Sequence, residues 1–254
     1  RLKVEALTSG STAGYKRNIQ KTDLSLKLMN VLKKINKSNL LVDASYHLTL
    51  WEQRLILAAL SQIKPKTKIS KDVSISALDY SELMHMDIKN AHRELYQAIE
   101  KLYERSVIIK HEDKIEEFRW IQRKALYHKG EAKISFTWSD DVLAYISELN
   151  DRFTSYRLAD VAKLKTSYAI RLYELLMRFK KTNVRWIDLS DFKRLLRIDD
   201  KYPLFKDLNK WVIKPAVKEL NSFSNLDVHY STQKKGRNIS RLYFDFKEKK
   251  IIKF

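Results

Sequence analysis

Residues 205–246, FKDLNKWVIKPAVKELNSFSNLDVHYSTQKKGRNISRLYFDF, carry the pattern on which the fold prediction rests. A lysine recurs at every fourth position in their first part, at Lys206, Lys210, Lys214 and Lys218. Apolar residues follow the same spacing, displaced by two, at Leu208, Val212, Ala216 and Leu220. Two residues of α-helix turn the chain by about 200°, so the two sets lie on opposite faces. We therefore predict a helix that packs with one face and presents ammonium groups with the other.

Two alternating segments follow this helix and predict a β-hairpin. Apolar residues mark each segment: Leu226, Val228 and Tyr230, then Leu242, Phe244 and Phe246. Gly236 lies between them and can adopt the positive φ that a tight turn needs. Basic and amide side chains surround the turn, namely Lys234, Lys235, Arg237, Asn238 and Arg241. A helix followed by a basic hairpin is the layout of a winged-helix domain, in which the hairpin is the wing.

The same order of elements is predicted in both halves of the chain. In the first half, a capping box of Thr49 and Glu52 precedes the apolar segment LWEQRLILAAL. A strand with a short helix, a long helix and several strands follow, over residues 73–86, 88–105 and 107–138. In the second half, a helix holds Ala169, Leu172, Leu176 and Phe179, a strand covers residues 184–189, and Ser190 caps the next helix. The sequence itself also repeats: AIEKL (98–102) resembles AVKEL (216–220), and RSVIIKH (105–111) resembles SNLDVHY (224–230).

These patterns predict an α+β fold of two tandem winged-helix domains related by an internal pseudo-repeat. Residues 1–37 are expected to form a tail and a helix, 38–152 the first domain, and 153–254 the second. The segment NDRFTSY, residues 150–156, is predicted to link the domains. The N-terminal helix is indicated by the helical spacing of Leu24, Leu28, Val31, Leu32 and Ile35.

The long helix of the first half has the same opposed faces. Its polar side is Lys89, Arg93, Gln97, Lys101 and Arg105, opposite Ala91, Leu95, Ile99 and Tyr103. The turn expected in the first hairpin, HEDKIEE, is acidic and would be repelled by phosphate. The second domain is therefore expected to supply most of the DNA affinity, and the first to add contacts and self-association.

The charge of the chain favours a polyanionic partner. There are 50 Lys and Arg against 31 Asp and Glu, a net charge of +19 with a pI near 9.8. Residues 1–150 have a net charge of +6 and residues 151–254 of +13. A protein with a merely lysine-rich surface is the alternative. A helix about 10–12 Å wide fits the major groove of B-DNA, where Asn209 could bond base edges while lysines contact phosphate or guanine. Pro215 removes one helical amide and is expected to bend the helix.

Several enzyme classes lack their motifs. The chain has no cysteine, which excludes disulfides and thiolate chemistry and fits a reducing, cytoplasmic environment. Its six histidines show no HxH or HExxH spacing, and neither GxxxxGK[ST] nor GxSxG occurs. No apolar run is long enough to span a bilayer. We therefore expect a DNA-binding protein without catalytic activity, cofactor or membrane contact.

NLLVDASYHLTLWEQRLILAAL (39–60), the lysine-striped helix and the hairpin STQKKGRNISRLYFDF resemble the iteron-binding plasmid replication initiators of the RepA/RepE/π type. The resemblance covers residues 38–247. It implies that a monomer binds direct repeats, called iterons, at a plasmid origin, melts or bends the adjacent AT-rich DNA with the host initiator DnaA, and helps to load the replicative helicase. It also implies a homodimer, formed through the first domain, that represses its own gene at an operator with an inverted repeat.

Carried over by residue, the resemblance places base-reading positions at Lys206, Asn209, Lys210 and Lys214, and the wing at Lys234, Lys235 and Arg237. By the same resemblance, the first-domain helix would read another part of the same iteron, through Lys89, Asn90, Arg93 and Gln97. Some members of the family have a run of arginines where this chain has Asn209, Lys210 and Trp211. Two alternatives stay open: a winged-helix transcriptional regulator that does not open DNA, and a replication enzyme with a hidden nuclease site.

Overall fold

The computed structural model describes residues 33–63, 69–127, 132–147 and 152–249. The first half begins with a strand and two helices, continues with a second strand and a helix pair, and ends with four strands and a further helix. In order these are β1 Lys34–Ser38, α1 Asn39–Val42, α2 Leu50–Leu60, β2 Asp72–Ser76, α3 Ala77–Met84, α4 Ile88–Leu102, β3 Ser106–Lys110, β4 Ile115–Arg119, β5 Ile121–Tyr127, β6 Lys133–Trp138 and α5 Asp140–Ser147.

The second half begins with a strand and a short 3₁₀ turn, Leu158–Asp160, and ends with two long strands. Its elements are β7 Phe153–Arg157, α6 Ser167–Met177, β8 Val184–Asp188, α7 Leu189–Leu195, α8 Phe205–Leu208, α9 Lys214–Phe223, β9 Leu226–Lys235 and β10 Asn238–Glu248. A π turn, Asn209–Ile213, joins α8 to α9, so residues 205–223 form one helical segment, called the α8–α9 helix below.

The two halves share one sheet topology. An antiparallel sheet of order β2-β6-β5 in the first half matches one of order β8-β10-β9 in the second. In each, a strand is followed by two helical segments and then by a hairpin whose second strand pairs with the first strand. This agrees with the predicted pseudo-repeat.

The sheet topology corrects the position of the first wing. Strands β3 and β4 form a separate two-stranded sheet, and β5–β6 takes the place that β9–β10 holds in the second half. The likeness of residues 105–111 to 224–230 is therefore misleading, because β3 and β9 are not equivalent. The acidic turn between β3 and β4 is not the wing turn. The turn between β5 and β6 lies outside the described residues.

Three further predictions differ from the structure. Ile35, assigned to an N-terminal helix, lies in β1, while the other residues of that helix and the tail lie outside the described residues. The predicted linker over residues 150–156 is in part a strand, because its residues from Phe153 onward lie in β7, which pairs with β1 along its whole length, while residues 150 and 151 lie outside the described residues. Ser190 does not cap a helix, since α7 begins one residue earlier with Asp188 as its N-cap.

The core contains the helices that the apolar patterns predict. The capping box at α2 is present: the Glu52 amide donates to Thr49 Oγ1 at 3.4 Å, and the Thr49 amide donates to Glu52 Oε2 at 2.5 Å. Behind it, every residue of the stretch 55–60 is buried. Burying a leucine or isoleucine side chain contributes about 1.5–3 kcal/mol, so α2 anchors the first half.

Candidate nucleic-acid interface

The α8–α9 helix has the two opposed faces that its sequence predicts. Lys206, Lys210, Lys214 and Lys218 are exposed. The apolar set opposite them is 0–2% exposed, at Leu208, Val212, Ala216 and Leu220. Since protein covers one face and none covers the other, the lysines are available to a polyanion approaching from outside.

A π turn accommodates Pro215 in this helix. The amide of Lys214 donates to the carbonyl of Asn209, five residues back instead of four. Pro215 has no amide to donate, and in a regular α-helix its ring would crowd the carbonyl four residues before it. The wide turn adds one residue and rotates α9 by roughly 100° relative to an unbroken helix. As a result Ile213 and Val217 join the buried face.

Asn209, predicted to bond base edges, is half-buried at the side of the helix. Its Oδ1 accepts a hydrogen bond of 2.6 Å from the Tyr230 hydroxyl on β9. The side chain therefore ties the α8–α9 helix to the hairpin.

Trp211 lies on the same exposed side, with 59% of its surface accessible. The Lys210 ammonium is 4.5 Å from the centroid of its ring, within cation–π range. In the sequence, Trp211 stood out only as a position where some family members have an arginine. The signal was present, because Trp211 falls outside the apolar spacing that marks the buried face.

The hairpin projects its basic turn away from the domain. The inner parts of β9 and β10 are buried at Leu226, Val228, Leu242 and Phe244, whereas residues 231–238 are all exposed. Gly236 has φ +63° in the turn, as predicted. Lys234, Lys235, Arg237 and Asn238 thus lie on a two-stranded ribbon clear of the core. Arg241 is nearer the sheet, and its Nε donates to Asp188 Oδ1 on β8 at 2.7 Å.

The α4 helix presents a smaller polar face. Its inner side chains are fully buried at Ala91, Leu95 and Ile99. The four candidate contacts are exposed, at Lys89, Asn90, Arg93 and Gln97. Within this set Arg93 Nη2 donates to Asn90 Oδ1 at 2.9 Å, which orients both side chains. Arg105 does not continue the face, because it lies beyond the end of α4 and its Nε donates to the buried Glu52 carboxylate at 2.8 Å.

The acidic turn of the β3–β4 sheet is organised around Glu116. Its carboxylate lies 2.6 Å from Lys114 Nζ, 2.9 Å from His111 Nε2 and 3.2 Å from the Tyr145 hydroxyl. Hydrogen bonds from Lys114 and then His111 lower the pKa of Glu116 to about 2. This region is negatively charged in a strongly basic chain, so phosphate would be repelled from it.

Across residues 33–63, 69–127, 132–147 and 152–249, no three His, Asp or Glu side chains lie together in a group that could hold a metal ion. Within those ranges there is also no helix with the length and hydrophobicity to traverse a bilayer.

Comparison with known proteins identifies the family. The model of "Initiator Replication protein, WH1" matches residues 34–177, and that of "Initiator Rep protein, WH2" matches residues 188–246. The chain belongs to the initiator replication protein family. This replication initiator therefore has two winged-helix domains, as its sequence and sheet topology indicated. The domain boundaries predicted above stay predictions, because matched segments do not define where a folded domain ends.

Relatives of the initiator agree with this assignment. It is 32% identical over 220 residues to a replication initiation protein of Escherichia coli, covering 82% of this chain and 67% of the relative. An uncharacterized 27.6 kDa protein of Escherichia coli is 26% identical over 230 residues, covering 83% and 94%. The fold is similar to that of the Pi initiator protein, solved in complex with iteron DNA, with a TM-score of 0.73 at 22% identity, covering 85% of this chain and 97% of the other.

Proposed function

We propose that this initiator binds iteron DNA at a plasmid origin and starts replication there without catalysing a reaction itself. The observation that carries the proposal is the exposed lysine face of the α8–α9 helix, set opposite a buried face and beside a projecting basic ribbon. Membership of the family supports it. So does the similar fold of the Pi initiator protein, whose structure contains iteron DNA.

The second domain divides the DNA contacts between groove and backbone. The α8–α9 helix enters the major groove, where Lys206, Lys210 and Lys214 contact phosphates or guanine and the Asn209 amide bonds a base edge. The ribbon lies along the flanking backbone, where Lys234, Lys235 and Arg237 neutralise phosphates and Asn238 adds a hydrogen bond. Arg241 joins them by exchanging its exposed Asp188 partner for a phosphate.

Trp211 adds an apolar contact to this surface. Major-groove thymines present a C5-methyl group, which apolar side chains contact. Trp211 is half-exposed beside the lysine face, so its ring can pack against such a methyl group. The contact would remove apolar surface of both groups from water. We therefore add Trp211 to the residues that distinguish A·T from G·C pairs.

The first domain reads a second part of the same repeat. Lys89, Asn90, Arg93 and Gln97 are exposed along α4, and the pairing of Asn90 with Arg93 presents both to one base step. Their net charge is lower than that of the second domain's surface. This agrees with an auxiliary role in affinity and a larger role in selecting the sequence.

Regulation follows from a second assembly. A homodimer formed through the first domain represses the initiator's own gene at an inverted repeat, while monomers act at the direct repeats. Opening of the origin requires the host DnaA protein and the replicative helicase as partners. The acidic β3–β4 turn, which phosphate would repel, is available for a protein partner.

A footprint on the plasmid origin tests the proposal. The protein is expected to protect an array of direct repeats and to make adjacent AT-rich DNA reactive to permanganate when DnaA is added. Protection without permanganate reactivity would favour a transcriptional regulator. A scrambled repeat serves as the control duplex. Nicking of supercoiled origin DNA in Mg²⁺, abolished by one tyrosine substitution, would instead show a nuclease.

A further inference from the structure

One peptide group between the two halves is held from both sides. The carbonyl of Leu164 accepts a hydrogen bond of 3.1 Å from Arg54 Nη2. The amide of the next residue, Lys165, donates to Glu219 Oε1. The two atoms belong to the same peptide unit, and in a trans peptide they point in opposite directions. Arg54 and Glu219 therefore approach this unit from its two edges.

Arg54 and Glu219 each connect this peptide unit to a helix that presents candidate DNA contacts. Arg54 Nη1 lies 3.4 Å from Oε2 of Glu94, a buried residue of α4. Glu219 belongs to α9, and it also accepts from the Thr166 amide at 3.1 Å and the Thr166 hydroxyl at 2.7 Å. A continuous chain of polar contacts thus runs from α4 through one peptide unit to the α8–α9 helix.

The chain of contacts tolerates little displacement of α4 relative to the α8–α9 helix. Glu94 and Glu219 are 7% and 8% exposed, so each carboxylate depends on protein donors rather than water. A shift that broke one contact would leave a buried charge without its donors, which is costly in a low-dielectric environment. An apolar contact in the same place would let the two helices slide relative to each other far more easily.

We propose that Arg54, the Leu164–Lys165 peptide and Glu219 form a joint that fixes the spacing and rotation of α4 relative to the α8–α9 helix. The joint is a positioning device: none of its members is placed against DNA. The initiator then accepts one separation between the two DNA segments that it reads. This rests on the proposed function, in which both helices contact DNA.

Distances between spin labels test the joint without DNA. The chain has no cysteine, so Lys101→Cys and Ser222→Cys place one label in the exposed last turn of each helix. The labelled protein is mixed with an excess of unlabelled protein, so that the proposed dimer adds no distances between two labelled subunits, and the parent is then expected to give a single narrow distance distribution. Glu219→Ala and Arg54→Met are expected to broaden it. Glu219→Gln keeps an acceptor oxygen and is expected to restore the narrow peak.

Arg157→Met is the matched control, because it removes the local pair of Arg157 with Asp160 near the same segment. It is expected to leave the distribution narrow. Circular dichroism verifies folding, and if Arg54→Met is unfolded, the comparison of Glu219→Ala with Glu219→Gln carries the test. Distributions as narrow in Glu219→Ala as in the parent would overturn the joint.

DNA binding provides a second measurement. The probes are duplexes of the footprinted repeat with one or two base pairs inserted between the segments that the two helices protect. The parent is expected to lose affinity by about tenfold or more, as for a mismatched site, and Glu219→Ala to lose clearly less. An equal loss in both would contradict the joint. Failure of the parent to bind any repeat would refute the proposed function instead, and the label distances would still decide the joint.

Discussion

Lys37 Nζ lies 2.6 Å from Glu174 Oε1, and both side chains are almost fully buried although 137 residues separate them. Glu174 Oε1 also accepts from the Tyr156 hydroxyl at 2.5 Å, and Oε2 from the Tyr46 hydroxyl at 3.2 Å and Arg171 Nη1 at 3.1 Å. One carboxylate therefore joins strands β1 and β7 to helix α6.

This carboxylate makes stability depend on acidity. Burial would raise the pKa of Glu174, but Lys37 and Arg171 outweigh it and lower the pKa from 4.5 to about 2. The unfolded chain thus binds this proton more readily than the folded one. The resulting stabilisation is fully present above pH 4.5 and is lost as pH falls toward 2. Urea unfolding at a series of pH values measures it. Glu174→Gln should flatten the dependence, and an unchanged slope in that variant would contradict the assignment.

Removal of the carboxylate should destabilise the fold strongly. Glu174→Ala leaves the Lys37 and Arg171 cations buried without their counterion, at a cost of about 3–5 kcal/mol. Glu104→Ala is the matched control, since it also removes one carboxylate from an ion pair, with Arg119. That pair is exposed, so its loss should cost less than about 1 kcal/mol. Equal shifts of the urea midpoint in the two variants would contradict this prediction.

Lys234 and Lys210 should contribute to DNA binding in different ways. Lys234→Ala removes a phosphate contact, so it should weaken binding to iteron and random DNA alike and reduce the salt slope by about 1. Lys210→Ala should cost about 1–3 kcal/mol on the iteron and reduce discrimination. Lys180→Ala, at an exposed lysine paired with Glu248, is the control and should change neither. Unaltered discrimination in Lys210→Ala would mean that the α8–α9 helix does not read the sequence.

Trp211 can be compared with another exposed aromatic side chain. Phe153 is 44% exposed and lies on β7, in the two-stranded β1–β7 sheet. Trp211→Ala should weaken iteron binding by about 1–2 kcal/mol, as expected for covering part of an apolar side chain, and reduce preference at an A·T pair. Phe153→Ala should bind as the parent does. Gel-shift titrations measure the affinity of both variants. Equal losses of affinity would exclude Trp211 from the DNA interface.

Local patterns predicted the helices and the second wing well. The opposed faces of the α8–α9 helix depend on side-chain spacing alone, and the capping box at Thr49 depends on residues three apart. Both can be inferred from a few neighbouring residues. The fold class followed because the same order of elements recurs in both halves.

The first wing was misplaced because its strand lacks a clean alternation. The pairing of β5 with β6 shifts register between Ile121 and Arg123, so a bulge interrupts the inside–outside pattern. Strands β3 and β4 alternate more regularly and directly follow the helix, which made them the apparent hairpin. Sequence spacing alone could not show which pair joins β2.

Contacts distant in sequence were also beyond prediction. Lys37 is buried because Glu174 lies beside it, and nothing in the segment KINKS indicates that partner. Likewise Glu219 reads as an ordinary surface charge until the backbone near Lys165 is placed against it. The site residues, being exposed and spaced by helical periodicity, were easier to propose than the side chains that hold their helices in place.

The π turn gives the α8–α9 helix one residue more than a continuous α-helix of the same length would have. Loss of a single codon within Asn209–Ile213 would remove that extra residue, press the Pro215 ring against a helical carbonyl and rotate Val217 and its apolar neighbours out of the core. A one-residue deletion in this segment should therefore be tolerated less well than a substitution at the same place.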